Sequence, residues 1–435
     1  MQSLFDELQR LTAGQISLTL GLLLVAMLLV QGLTEIIRAW LRLPGERRQQ
    51  RVALEKLRLQ VRETRLRCEE VEQGKLRWNG YRKFSVVKKA RECDDVCAFY
   101  LKPHDGKALS PFKPGQYLTF ELDIPGRDKP LVRCYSLSDS PHRSEYYRVT
   151  IKKEKCPANQ PELPPGVAST YFTDTVKEGD ILNVKAPTGH FYLEMARPNP
   201  IVLIAGGVGV TPLLCMAHAI AASGSKREAW FFFGVRNGQE HIHKTELEQL
   251  AAENGNIHLH VCYSRPGPQD LRDRDYQHEG RVTVDLLKQV LPSNNFEYFL
   301  CGNGAFMKDI TDGLEAWGVP EKDVHFEAFG PATVKKKAAE PTKKETEFLS
   351  KVNVTFGRSG KVVRWEPSAG NLLEFARGQG VRIESGCCAG SCGSCLVAIK
   401  SGTVHYLKPP DAEPEQGACL TCICRPKGGD LVLDA

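Results

Sequence analysis

Internal repeats, a nucleic-acid-binding signature and a disordered composition are all missing from this 435-residue chain. The lack of a repeat period argues against a solenoid or propeller. No zinc-finger, RRM or helix-turn-helix pattern accompanies the basic residues, so the formal charge of +6 does not point to DNA or RNA. Much of that surplus lies between Arg38 and Arg67, a distribution that suits a membrane surface. With 42% hydrophobic and 25% charged residues, the chain is neither wholly disordered nor a multi-span membrane protein. Its length leaves room for about three compact units, each with its own core.

Charge is absent altogether from residues 11 to 34, and Ile16 to Val30 is almost continuously apolar. About 20 such residues cross a bilayer as a helix. A signal peptide would require a basic start and a small-x-small cleavage site, but this segment begins with Asp6, Glu7 and Arg10 and runs into Thr34-Glu35-Ile36-Ile37-Arg38. A buried core helix would not be apolar on every face. The expectation is therefore a single-pass anchor over residues 1–45. Arg38, Arg42, Arg47, Arg48 and Arg51 follow the span and only Arg10 precedes it, which places everything C-terminal in the cytoplasm, at the inner membrane.

Beyond Pro44-Gly45, Leu54, Leu57, Val61, Thr64, Cys68 and Val71 recur at three- and four-residue spacing. That pattern predicts a helical spacer over 46–77; a dimerising coiled coil is the alternative, with Thr64 and Cys68 a poor seam. Short β-rich runs such as Tyr117 to Leu122 and Tyr147 to Lys152, parted by turns such as Lys113-Pro114-Gly115-Gln116, predict an antiparallel barrel over 78–197. Over 198–330, apolar strands (Ile201 to Ala205, Trp230 to Val235, Tyr298 to Cys301) alternate with helical stretches such as Leu213 to Ala222, the pattern of a helix-covered parallel sheet. Residues 331–347 hold two lysine runs and almost no apolar side chains, as a linker would, and a last unit fills 348–435.

Seven of the 15 cysteines fall in that last unit, at 387, 388, 392, 395, 419, 422 and 424. Such clustering means a metal site rather than a disulfide framework. Cys387-x4-Cys392-x2-Cys395 has the spacing that wraps one loop round a [2Fe-2S] cluster, and Gly386, Gly390 and Gly393 let backbone N–H groups approach the sulfides. Zinc would favour two paired hooks instead. The stretch from Gly386 to Cys395 (GCCAGSCGSC), with Leu420 to Pro426 (LTCICRP), resembles plant-type ferredoxins. The resemblance makes Cys422 the fourth ligand beside Cys387, Cys392 and Cys395, while the thiols of Cys388, Cys419 and Cys424 depart from the pattern.

Arg133-Cys134-Tyr135-Ser136 on a barrel strand, with Gly166-Val167-Ala168-Ser169 ahead of a helix, offers a cation, an aromatic surface, a hydroxyl and a helix start, which together suit FAD. Each is weak alone, since Arg and Tyr on a strand are commonly mere surface. Gly206-Gly207-Val208-Gly209-Val210-Thr211-Pro212 follows a buried strand and can close on a pyrophosphate, with Thr211 adding a hydroxyl, and Cys301-Gly302-Asn303-Gly304 supplies a matching turn.

Residues 78 to 330 as a whole resemble the ferredoxin–NADP reductase superfamily, especially the reductase portions of oxygenase systems and of flavohaemoglobins. The resemblance implies FAD contacts at Arg133, Tyr135, Ser136, Gly166 and Ser169, and pyridine-nucleotide contacts at Gly207, Thr211, Cys301 and Gly302, with Gly206 and Gly209 shaping the turn. Ser136 and Cys301 would stand at the reacting centre as positioning groups. Glu327 and Phe329 match the end of the module, where an aromatic can cover the flavin or simply pack in the core. Phe233-Gly234-Val235-Arg236 resembles NADH-using members, whereas Ser264-Arg265 could grip a 2′-phosphate; NADH is favoured over NADPH. The expected fold is multidomain: a transmembrane helix, an antiparallel β-barrel FAD domain, an α/β parallel-sheet NAD(P) domain and an α+β (β-grasp) ferredoxin domain. The expected activity is electron transfer from NADH through FAD and [2Fe-2S] to a terminal oxygenase, hydroxylase or desaturase, itself associated with the membrane. The alternative is the electron-input subunit of an NADH:quinone oxidoreductase, in which the ferredoxin precedes the flavin module.

Overall fold

The computed structural model describes residues 17–18, 20–37, 54–57, 60–61, 76–127, 130–156, 164–328, 352–383, 385, 390, 393–407, 410, 414 and 416–435. The chain divides into two compact units, Met1–Gly74 and Lys75–Ala435. In the first, helix α1 (Leu20–Ile37) has a mean hydropathy of 2.2 and none of it is buried, so it is long and apolar enough to cross a membrane. Most of the expected spacer, and all of the 331–347 linker, lie outside the described residues; 54–57 and 60–61 are helical.

The second unit opens with strands β1 (Arg82–Cys93), β2 (Val96–Pro103), β3 (Tyr117–Leu122), β4 (Leu131–Ser136), β5 (Tyr147–Lys152) and β6 (Ile181–Thr188). They form one antiparallel sheet in the order β4-β3-β6-β1-β2-β5. A bridge between Leu137 and Val149 joins the two outer strands, which makes the sheet barrel-like and leaves little free edge. Inside, Phe84, Phe99, Phe120 and Phe172 are fully buried, and Phe120, Phe172 and Tyr135 meet edge to face with centroids 5.2–5.8 Å apart. Phe172 belongs to a single π turn (Tyr171–Thr175) that continues the short helix α2 (Val167–Thr170).

Next comes a wholly parallel sheet of β7 (Ile201–Gly206), β8 (Ala229–Val235), β9 (Ile257–Tyr263), β10 (His278–Glu279), β11 (Glu297–Gly302) and β12 (Val324–Ala328), in the order β10-β9-β8-β7-β11-β12. Alternate side chains of β7 feed opposite cores. Ile201, Leu203 and Ala205 join the core shared with Leu213, Leu214 and Leu247, whereas Val202 and Ile204 join that of Leu287, Met307 and Ile310. Helices α3 (Val210–Ala222) and α4 (Lys244–Glu253) supply the first, α5 (Val284–Val290) and α6 (Gly304–Ala316) the second. Strands buried on both faces account for the unbroken apolar runs in the sequence. Helix α3 begins three residues earlier than the periodicity suggested, because Pro212 is tolerated in a first turn that needs no N–H partner there.

The last module is a mixed sheet ordered β14-β13-β19-β15-β17 from β13 (Asn353–Phe356), β14 (Lys361–Arg364), β15 (Leu396–Ser401), β17 (Ala418–Leu420) and β19 (Leu431–Leu433). Strands β16 (Val404–Tyr406) and β18 (Cys424–Pro426) pair separately. Helix α7 (Leu372–Gly378) contributes Leu372, Phe375 and Ala376 to a core with Val354, Phe356 and Trp365.

Candidate active site and cofactor-binding elements

Strand order reverses between β7 and β11, where the chain goes one way to β8 and the other to β12. The carboxyl ends at such a point form a natural crevice for a ligand. Both turns singled out in the sequence lie there, since Ala205 pairs with Cys301 in register. Gly207 has φ +55°, a left-handed backbone that favours glycine. Gly209 is constrained differently: a Cβ on it would lie 2.2 Å from the Cys301 carbonyl oxygen, so only glycine lets the two turns touch. A Cβ on Gly206 or Gly302 would meet the Phe306 ring at 3.0 or 2.6 Å, so this aromatic, which no motif revealed, packs against both glycine turns. The Thr211 hydroxyl is buried and donates to the Val208 carbonyl at 3.1 Å, bracing the turn from within.

On the barrel side, Ser136 is buried at the end of β4 and its hydroxyl donates to Glu327 Oε2 at 3.3 Å. Glu327 pairs in register with Cys301 across β11 and β12. Ser136, Glu327 and Cys301 therefore converge from the barrel and the parallel sheet on one point. Burial, reinforced by the negative charge of Glu327, pushes the Cys301 thiol well above its ordinary range, so it stays protonated at neutral pH. Burial likewise raises the Tyr135 phenol, which keeps that ring a neutral packing surface. Phe329 lies outside the described residues.

Arg133 is half-buried, and its guanidinium donates to the Val132 carbonyl at 2.8 Å; among the described residues it has no carboxylate partner. A cation in that state suits a pyrophosphate. Gly166 caps α2, and a Cβ there would strike Glu154 Cβ at 2.7 Å and Ser169 Oγ at 2.9 Å. Ser169 Oγ donates to the Gly166 carbonyl at 2.9 Å and accepts from the Glu154 N–H at 3.0 Å, holding the loop around the helix start. The residues fit an FAD phosphate on the barrel and a nucleotide phosphate at the β7 turn.

In the last module Cys387, Cys388 and Cys392 lie outside the described residues. Cys395 and Cys422 are buried with their Sγ atoms 3.2 Å apart, although 27 residues separate them in sequence. Two thiols that close are the arrangement one iron could bridge. Cys419 and Cys424 pack instead into the main core with Val354 and Phe356, whereas Cys395 and Cys422 share a separate cluster with Leu373, Leu420 and Ile423. Gly390 has φ +76°, and a Cβ on it would lie 2.4 Å from Ile423 Cδ1, so this glycine lies against the segment that holds Cys422.

A set of residues the sequence did not flag lies between barrel and parallel sheet: Asp139, Arg148, His218, His243 and Glu246. Asp139, His218 and Glu246 present ligand atoms within 4.8 Å of one another, a spacing a metal could use. Arg148 already supplies the cation there, at 2.8 Å from Glu246 and 3.7 Å from Asp139. Burial raises the Glu246 carboxyl, but hydrogen bonds from His218 and His243 and the charge of Arg148 outweigh it and hold the group far below the usual range. His243 and Glu246 are three residues apart at one helix start, but Asp139, Arg148 and His218 come from other elements, so no spacing rule could have assembled the set.

Comparison with known proteins gives three domain families in order: oxidoreductase FAD-binding domain over residues 83–192, oxidoreductase NAD-binding domain over 203–312, and 2Fe-2S iron-sulfur cluster binding domain over 357–427. A flavohemoprotein of Halalkalibacterium halodurans is 42% identical over 264 residues, 61% of this chain and 63% of that protein. The chain thus spans less than two thirds of the length of the curated relatives it matches. The FAD/NAD-binding domain of nitric oxide dioxygenase from Vibrio cholerae is 32% identical, with 58% of this chain and all of that one covered and a TM-score of 0.52. A type IV self-sufficient cytochrome P450 monooxygenase shares the fold over 82% of this chain and 41% of its own, at 19% identity and a TM-score of 0.54.

Substitutions at two places test this geometry. Gly209→Ala should prise the β7 turn from Cys301 and lower kcat/KM for NADH-driven ferricyanide reduction by roughly 100-fold, the scale of a misplacement of about 1 Å, with flavin absorbance retained. Cys422→Ser should abolish the EPR signal of the reduced cluster and leave bound flavin in place, whereas Cys419→Ser and Cys424→Ser should keep the signal. Loss of the signal only in one of the latter two would move the ligand.

Proposed function

The chain belongs to the ferredoxin–NADP reductase superfamily, with FAD-, NAD- and [2Fe-2S]-binding domains in that order, and on that premise we propose that it is a membrane-anchored reductase for a terminal oxygenase, hydroxylase or desaturase. It is an NAD(P)H-dependent flavin and iron–sulfur oxidoreductase, and its cofactors are FAD, a [2Fe-2S] cluster and NADH or NADPH. When bound, FAD accepts an electron pair from the nicotinamide as a hydride and yields it one electron at a time, the form a [2Fe-2S] centre can take.

The observation that carries the reading is the convergence of Ser136, Glu327 and Cys301 at the switch point, on a chain that also brings Cys395 and Cys422 together. In this reading Arg133, Gly166 and Ser169 hold the flavin phosphates, and Tyr135 and Ser136 seat the ring. Gly206, Gly207, Gly209 and Thr211 shape the nicotinamide-nucleotide turn, and Cys301 and Gly302 set the depth of the nicotinamide. With its thiol held protonated, Cys301 positions rather than exchanges protons. Cys387, Cys392, Cys395 and Cys422 hold the cluster. The modules run over 78–197, 198–330 and 348–435, the last a β-grasp fold, with the 331–347 linker letting the ferredoxin reach both donor and acceptor.

NADH is favoured on the resemblance of Phe233-Gly234-Val235-Arg236 to NADH-using members, with Arg236 paired to Glu240 at 2.5 Å; Ser264-Arg265 is the pair that could grip a 2′-phosphate instead. The anchor reading rests on α1, whose apolar side chains are all exposed. Arginines 38, 42, 47, 48 and 51 would keep the catalytic modules on the cytoplasmic side. Confining the reductase to the bilayer surface helps only if its acceptor is there too, which supports a membrane-associated partner.

Cutting near residue 340 should leave ferricyanide reduction nearly intact, because flavin serves that acceptor directly, while cytochrome c reduction falls sharply; equal loss of both would sink the proposed electron route. Deleting residues 1 to 45 should release an enzyme with unchanged ferricyanide turnover into the soluble fraction. Full-length protein found soluble, or cysteine labelling that puts residue 80 onward outside the cytoplasm, would remove the anchor and with it the membrane-bound acceptor.

A further inference from the structure

A ring of hydrogen bonds joins the barrel to the helices of the parallel sheet. Glu246, on α4, takes four polar contacts, two on each carboxylate oxygen. Arg148 of β5 donates to Oε1 at 2.8 Å and to Oε2 at 3.0 Å, and His218 of α3 donates to Oε1 at 2.6 Å, while His243 Nδ1 makes an ion-pair contact with Oε2 at 2.9 Å. Both oxygens are thus engaged from more than one direction. With His243 carrying its proton on Nδ1, donors run one way round the rest of the circle. Arg148 Nε donates to Ser138 Oγ at 3.2 Å, Ser138 to Thr150 Oγ1 at 2.9 Å, and Thr150 to His243 Nε2 at 3.0 Å.

The ring's members border both halves of the reaction centre. Ser138 follows Ser136 by two residues, just past the bridge that closes the barrel. His218 lies on α3, the helix that the Gly206–Gly209 turn starts. His243 holds φ +55°, a left-handed backbone that costs a residue with a side chain some energy, and it keeps that conformation while bonded to Glu246 and Thr150. Arg148, Ser138, Thr150 and His243 are buried, where directional bonds are least disturbed by water, and the His218 and Glu246 side chains are 17% and 26% exposed.

We propose that Glu246 is a positioning residue for hydride transfer, fixing through Arg148, His218 and His243 the distance between the flavin-bearing barrel and the nicotinamide turn. The inference rests on the barrel binding FAD and the sheet binding the nucleotide. Aromatic and aliphatic packing can hold two domains together, but it tolerates sliding; three charge-assisted hydrogen bonds on one carboxylate do not.

Glu246→Gln in the full-length holoprotein keeps the volume and turns half the acceptor group into a donor that faces Arg148 and the histidines. FAD content should be unchanged, because the flavin contacts belong to the barrel. Amide hydrogen exchange should accelerate by roughly 10-fold in 137–150 and 207–222 together, as expected when a shared restraint is lost. Stopped-flow flavin reduction should slow by roughly 10- to 100-fold, the range that a small misalignment of reactants commands. The KM for NADH should stay nearly unchanged, and the primary isotope effect with NADH deuterated at the transferred position should rise. His218→Gln removes one bond and spares the Arg148 pair, so it gives a smaller change of the same sign should the first variant fail to fold. Exchange confined to α4, or slower turnover with an unchanged isotope effect, would reduce Glu246 to a structural residue and overturn the proposal. Loss of FAD from the wild-type protein would instead overturn the reading it rests on.

Discussion

The site depends on one close approach. At Gly209 the β7 turn comes so near the Cys301 carbonyl that a single methyl group would not fit. Because β7 and β11 are neighbours at the switch point, that contact sets how deep a crevice opens between their carboxyl ends, and so where a nucleotide phosphate and its nicotinamide can lie. Phe306 beneath Gly206 and Gly302, and the Thr211 hydroxyl bonded to the Val208 carbonyl, brace the same turn from below and within.

A crevice alone does not make a reductase, since the flavin belongs to another domain. Among the contacts that span the gap, two lie nearest the crevice elements. One is the hydrogen bond from Ser136 to Glu327, which joins the end of a barrel strand to the end of a sheet strand. The other is the buried ionic set around Arg148 and Glu246. A buried charge such as Arg148 is costly unless partnered, and Glu246 and Asp139 partner it, which makes the contribution one of register more than of net stability. The barrel supplies a rigid wall through its fully buried phenylalanines, so a displacement at the link is not absorbed by soft packing.

The iron–sulfur module follows the same economy of glycine and burial. Gly390 lies against Ile423, beside Cys422, while Cys419 and Cys424 are in the core. The four described cysteines of this module thus divide into a pair that face one another, Cys395 and Cys422, and a pair that act as ordinary apolar residues, Cys419 and Cys424.

Much of this was legible in the amino-acid sequence. The strands Tyr117–Leu122 and Tyr147–Lys152 lie where alternation and turn residues put them, and the β7 run was recognisable because a strand buried on both faces has no polar position. Local chemistry likewise marked the glycine turns, the cysteine spacing and the Arg-x-Tyr-Ser strand, since each motif is a few residues long and its constraint is local. Residues that act across the fold left no such trace. Arg148 and Glu246 are separated by 98 positions, and Phe306 touches Gly206 only through the packing of α6. Their pairing is set by which strands become neighbours and which helices cover them. A sequence carries chemistry as spacing along the chain, and here the separation between flavin and nicotinamide elements was decided by distances that exist only after the chain has closed on itself.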